Sequence, residues 1–255
     1  MYSVTKRVSM VKQPRGGYIS PKQFQVIEKN DNMELHENEN IHATLIGLAV
    51  DYLTRLMMKT PKEMAFHISV KGAERIGDEK NAEKLLARIK GLDNDSILCA
   101  CKIVGYDICA RAGNMGIARY KPVNEIEPNE ETIENIRLMV QRSLDFWSEY
   151  GPILKDGFTF FGGYTNVVSS GDGDYLSYDT LWDFKVSKAE PQKTHTLQLL
   201  MYWIMGCHSI HNEFDTIKKL GIFNPRKNKI YLLKISDIKK EIIQEVEKEV
   251  IGYDI

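Results

Sequence analysis

The chain has 255 residues, 43% hydrophobic and 27% charged, and its 34 Lys and Arg against 35 Asp and Glu leave a formal charge of −1. That hydrophobic fraction supports a packed core and excludes wholesale disorder, and ordinary Gly (18) and Pro (8) contents exclude collagen-like and low-complexity chains. No apolar run reaches the roughly 18 residues of a membrane-spanning helix. Near-neutrality argues against a globally basic nucleic-acid binder, while leaving room for a locally basic cleft.

The first eight residues lack the apolar stretch and small-residue cleavage site of a signal peptide, so a cytoplasmic location is expected. Free thiols are then the expectation for Cys99, Cys101, Cys109 and Cys207. Residues 1–40 are polar and mixed, with turn signals at Pro14-Arg15-Gly16-Gly17 and Ser20-Pro21. Glu34, Glu37 and Glu39 read as a solvated acidic face, one of which could still reach a site. The spacing of Leu45, Ile46, Ala49, Leu53, Leu56 and Met57 predicts a helix over 42–59, stopped by Pro61. Further helices are expected over 61–72, over 79–91, and from Asp95-Ser96 through Cys109 or Arg111. A long helix over 126–150 follows, capped by Asn129.

After Gly151 the pattern turns to strands at 158–161, 164–168, 180–186, 219–223 and 229–235, with Ser169–Asp174 as a turn cluster. Helices are expected over 194–210 and from a Ser236 or Asp237 cap to about Val250. The expectation is a single α/β domain over 1–255, mainly helical in 1–150 and carrying a sheet core in 151–255.

The chemistry concentrates between Gly162 and Tyr202. In a strand, Asp183 and Lys185 share a face while Phe184 turns into the core. A carboxylate beside an ammonium can hold a divalent cation and position an attacking water, which suits phosphodiester hydrolysis. An isolated triplet of this kind is more often a plain ion pair. Further on, Gln198 and Tyr202 stand at i and i+4 on one helix face, able to orient a phosphate or a base edge. Lys188 and Lys193, between strand and helix, could grip phosphates, and Arg111, Arg119 and Lys121 could form another basic edge. His195, His208 and His211 lack partners at zinc-site spacing, and His211 is expected to interact with a helix C-terminus.

Gly163-Tyr164-Thr165-Asn166, then Trp182-Asp183-Phe184-Lys185, then Gln198-Leu199-Leu200-Met201-Tyr202 resembles the RecB-like branch of the PD-(D/E)XK nuclease superfamily. The order there is G-x-x-D, (D/E)-x-K, Q-x-x-x-Y, and the resemblance covers about residues 160–205. It extends loosely to Gly47–Asp51, where Asp51 matches an upstream acidic position. The resemblance implies a restriction-endonuclease-like core, a mixed β-sheet flanked by helices, and Mg²⁺- or Mn²⁺-dependent cleavage of DNA. It also implies metal ligation by Asp183 and the Phe184 carbonyl, with Lys185 positioning water or stabilising charge, and a setting in mobile-element, repair or defence biology. This sequence departs from the pattern at Asn166, which offers a neutral oxygen where the family carries an acid. Asp174, or Asp172, could supply the missing carboxylate if a hairpin turned at Tyr178-Asp179. Turn chemistry instead favours a loop at Ser169–Asp174, which puts Asn166 opposite Asp183. An engineered replacement of Asp by Asn at 166 would read the same way. The alternative functions are a nuclease-fold protein that binds nucleic acid without cutting it, and a module that binds a protein partner.

Overall fold

The structure is a computed structural model and describes residues 1–254. It is an α/β fold with a mixed six-stranded sheet flanked by helices, and about 52% of it is helical. In chain order the elements are β1 (Tyr2–Ser3), α1 (Val4–Met10), β2 (Gln25–Glu28), α2 (Ala43–Met57), α3 (Lys62–Ala65), α4 (His67–Ile76), α5 (Glu79–Arg88), α6 (Asn94–Ile103), α7 (Asp107–Arg111), α8 (Gly113–Ile117) and α9 (Glu130–Tyr150). There follow β3 (Lys155–Thr159), β4 (Val168–Ser170), β5 (Asp172–Leu176), β6 (Thr180–Phe184), α10 (Lys193–Cys207), β7 (Lys219–Asn224), β8 (Lys229–Lys234) and α11 (Lys240–Glu245), which runs on as a π-helical turn over Val246–Ile251. These form two compact units, one of Met1–Asn30 with Trp147–Ile255 and one of Asp31–Phe146. No helix among the described residues is long and apolar enough to cross a membrane.

The helical unit follows its sequence signals closely. His42 caps α2 by accepting from the Thr44 N–H, and Asn129 Oδ1 accepts from Thr132 N–H (2.9 Å) at the start of α9. The helix expected from Asp95-Ser96 is capped instead by Asp93 and is broken by a 3₁₀ turn at Val104–Tyr106. The break belongs to packing: Gly72 of α4 lies so close to Tyr106 that a Cβ there would sit 2.0 Å from its carbonyl oxygen. Asp107, just past the break, is 2% exposed and gathers Tyr52 OH (2.6 Å), Ser69 Oγ (2.5 Å) and Arg111 Nε (3.2 Å). Burial pushes its carboxyl up, and the donors from Ser69, Tyr52 and Arg111 only partly reverse that.

The sheet unit orders its strands β2-β8-β7-β6-β5-β3. All neighbours are antiparallel except β6 and β7, which run parallel and are joined through α10. Leu176, Leu181, Leu220 and Ile222 pack in one core with Leu197, Leu200 and Met201 of α10. On the opposite face Tyr175, Trp182, Phe184 and Phe223 form an aromatic layer that includes Trp147 (4.9 Å from Tyr175, ring centre to ring centre). Gly221 leaves room for this layer, since a Cβ there would stand 2.3 Å from the Trp182 ring.

Three expectations are corrected. The first thirty residues join the sheet unit: β2 is an edge strand on β8, exposed along most of its length, so it carries no alternating pattern to read. Residues 164–167 form a loop, not a strand. Ser169–Asp174, expected to turn, is extended as β4 and β5. Its glycines serve close approach: Gly173 faces Phe158 of β3, whose ring would lie 2.4 Å from a Cβ.

Replacing Asp107 by Ala removes the buried acceptor of the Tyr52 and Ser69 hydroxyls, while Arg111, half exposed, keeps solvent and Tyr52 OH. A loss of about 1–3 kcal/mol is expected, measured as a lower urea midpoint at unchanged slope.

Candidate metal-dependent active site

The pairings Tyr175↔Trp182 and Leu176↔Leu181 define the β5–β6 hairpin, closed by Ser177 N–H donating to the Thr180 carbonyl (3.0 Å). Continued by one residue, this register sets Asp174 opposite Asp183. The register that put Asn166 opposite Asp183 is therefore overturned: Asn166 is exposed in the loop before β4. The Tyr178-Asp179 turn, poor by local chemistry, is held by its neighbours. Lys218 and Lys219 N–H donate to the Asp179 carbonyl (2.7 and 3.0 Å), Lys219 Nζ pairs with its carboxylate (2.8 Å), and Thr216 Oγ1 donates to the Tyr178 carbonyl (2.8 Å).

Asp183 is 2% exposed. Its Oδ1 accepts from Lys185 Nζ (2.9 Å), while its Oδ2 is buried without a hydrogen-bond partner. Asp174 Oδ2 accepts from the Phe184 N–H (2.9 Å), which ties the two acids across the hairpin. Burial alone would lower the Lys185 pKa, but the carboxylates of Asp183 and Asp174 outweigh it and hold the ammonium charged. Phe184 turns a half-buried ring to the aromatic face, leaving its carbonyl at the strand end between Asp183 and Lys185.

α10 brings the remaining groups. Gln198 Nε2 donates to Tyr202 OH (2.9 Å), and the Tyr202 ring stacks on Phe160 at 5.0 Å. Burial, with Asp174, Asp183 and Asp172 nearby, raises the Tyr202 phenol, so it stays protonated. His195 stands one turn before Gln198, its Nδ1 accepting from the Gln192 N–H (3.2 Å). Burial and then the Lys185 ammonium lower its pKa against the pull of Asp183, which favours the neutral ring. The i, i+3, i+7 spacing of His195, Gln198 and Tyr202 is the signal in the sequence that sets the three on one helix face. A second overlooked signal is Gly171-Asp172-Gly173-Asp174, which has the G-x-x-D spacing with Asp174 as the acid.

The other candidates are carried by other elements. Asp51 is in the helical unit, paired with Arg55 at 3.2 Å. Arg111 in that unit serves Asp107, Arg119 and Lys121 are exposed there, and Glu39 accepts from Asn135. Lys188 is exposed after β6, and Lys193 opens α10. His208 pairs with Glu247 (2.6 Å) and stacks on Tyr253. His211 lies four residues past the end of α10, hydrogen-bonded to the Thr159 carbonyl (2.7 Å), so it does not cap that helix as expected. The four cysteines are free.

Among the described residues no three His, Cys, Asp or Glu side chains are grouped to hold a metal. A hard cation of the Mg²⁺ kind needs fewer protein ligands, since it keeps several waters and takes one or two carboxylates. Two acids on adjacent strands, one with a buried unpartnered oxygen, fit that requirement. Replacing Asp183 by Asn removes the larger of the two fields that keep Lys185 charged. Its amine should then titrate at lower pH, and by more than in Asp174→Asn, as read by NMR of carbon-labelled lysine. Comparison with protein-family models, with curated proteins and with solved structures finds no match.

Proposed function

We propose that the sheet unit is a metal-dependent nuclease of the PD-(D/E)XK kind, of RecB-like type, hydrolysing DNA phosphodiester bonds with Mg²⁺ or Mn²⁺. One observation carries the reading: Asp183, buried beside Lys185 and opposite Asp174, keeps one carboxylate oxygen without a donor. A buried ionised oxygen with no partner is costly, and a cation is the group that would remove that cost. Asp174, Asp183 and the Phe184 carbonyl are the atoms that would hold it. When bound, such a cation polarises a phosphate oxygen and lowers the pKa of a water. Lys185, hydrogen-bonded to Asp183, would donate to the phosphate and stabilise charge that develops there. Tyr202, whose oxygen already accepts from Gln198, retains its own proton to donate to the substrate strand. The alternative of an inactive nuclease fold drew on Asn166; with Asp174 in the acidic position, that argument loses its basis.

Cleavage of labelled single- and double-stranded DNA, with Mg²⁺, Mn²⁺ or EDTA, tests the reading. Lys185→Ala should lose about 10²–10³ in rate, the usual cost of removing one charge-stabilising donor. Asp183→Ala and Asp174→Ala should lose metal-dependent turnover, and Asn166→Ala should retain the wild-type rate. Absence of cleavage by the wild-type chain with either metal sinks the proposal. Loss in Asn166→Ala with retention in Asp174→Ala sinks the assignment of the second acid.

A further inference from the structure

The chain is neutral overall, but its first thirty residues are not. They carry Lys6, Arg7, Lys12, Arg15, Lys22 and Lys29 against the single acid Glu28, a net of +5. Two of these cations are used internally: Arg7 donates to the Val250 and Glu249 carbonyls (2.8 and 2.7 Å), and Lys29 pairs with Glu149 (2.5 Å). Lys12, Arg15 and Lys22 are exposed and form no ion pair among the described residues.

The backbone that carries them is strapped onto the start of α10. Tyr18, Ile19 and Phe24 are buried in the same core as that helix, and Thr196 Oγ1 donates to the Ile19 carbonyl at 2.6 Å. Gly17 N–H donates to the Pro14 carbonyl (2.9 Å), closing a turn with Arg15 and Gly16 at its tip. Gly16 and Gly17 both take left-handed backbone (φ +92° and +94°), which a side chain would oppose. Gly17 also lies against α10: a Cβ there would meet Lys193 Cβ at 2.7 Å and Gln13 Oε1 at 3.2 Å. Gln13 is only 9% exposed and packs beneath the turn.

We propose that the turn at Pro14–Gly17, with Arg15 and the adjoining Lys193 as its cations, binds the phosphodiester backbone of a nucleic-acid strand running into the site on β6. This rests on the nuclease reading and adds where the strand is held. Lys193 and Gln198 are five residues apart, about 7.5 Å along a helix at 1.5 Å per residue. That span is short enough for one strand to reach from the turn to Gln198. A locally basic strap also supplies the attraction for DNA that a chain of charge −1 lacks at long range.

The test uses the full chain carrying Asp183→Asn, so that binding of a fluorescent single-stranded oligonucleotide is read without cleavage across a salt series. Arg15→Ala with Lys193→Ala should weaken binding about tenfold near 0.1 M salt. It should also lower the slope of log affinity against log salt by about 1.4, two contacts at about 0.7 each. Arg15→Lys with Lys193→Ala should recover about half of the lost slope, and Lys239→Ala with Lys240→Ala, exposed at the start of α11, should leave the slope unchanged. An unchanged slope in the Arg15/Lys193 variant, with a wild-type circular dichroism spectrum, overturns the proposal. So does competition by inorganic phosphate at constant ionic strength, which would make this a free-phosphate site. Cleavage by the chain without Asp183→Asn separates the two readings. Cutting with an unchanged slope removes the strap and keeps the nuclease. A strap-dependent slope without cutting keeps the strap as a binding surface and removes the nuclease. Neither binding nor cutting removes both.

Discussion

A carboxylate that is 2% exposed must find partners or shed its charge. Asp183 stands under that constraint at the centre of the sheet unit, and much around it follows. Lys185, two residues on, supplies one partner and is itself kept charged by two acids against the pull of burial. Asp174, across the hairpin, is anchored by the Phe184 N–H, so both acids are locked to one strand end. A buried ion pair of this kind is weak evidence for stability, because desolvation offsets much of the attraction.

The surrounding fold holds that arrangement in place. The parallel step from β6 to β7 requires a crossover, and α10 is that crossover, which brings Gln198 and Tyr202 over the same sheet face as the acids. The aromatic layer on the other face, with Tyr175 paired to Trp182, fixes which residues point which way, because a one-residue slip would exchange the two faces. Close-approach glycines at 173 and 221 let the bulky rings of neighbouring strands fit. The N-terminal segment completes the face by packing Ile19 beneath Thr196, and in doing so sets its cations beside the helix start.

Charge is thus distributed by place. A formal charge of −1 is the sum of a basic first thirty residues, an acidic pair in the site, and mixed surfaces elsewhere. The cations of the first thirty residues and the two acids of the β5–β6 hairpin are thus kept apart within a nearly neutral chain.

Helical stretches were legible because their signals are local. His42, Asn129 and the 3.6-residue apolar stripes need only neighbours within a turn or two, and α2, α9 and α10 lie close to where their spacing put them. Strand and helix periodicity likewise pair Asp183 with Lys185 and Gln198 with Tyr202, while joining the two pairs as one set is what the family resemblance implies. What sequence alone could not decide was the partner of Asp183. Local turn chemistry ranked Ser169–Asp174 above Tyr178-Asp179. The choice was instead made by Lys218, Lys219 and Thr216, which are distant in the chain and bind the weaker turn from outside. Such contacts exist only once β7 lies beside β6. The second acid therefore passed from Asn166 to Asp174 through tertiary structure, while the first was already set by the two-residue period of a strand.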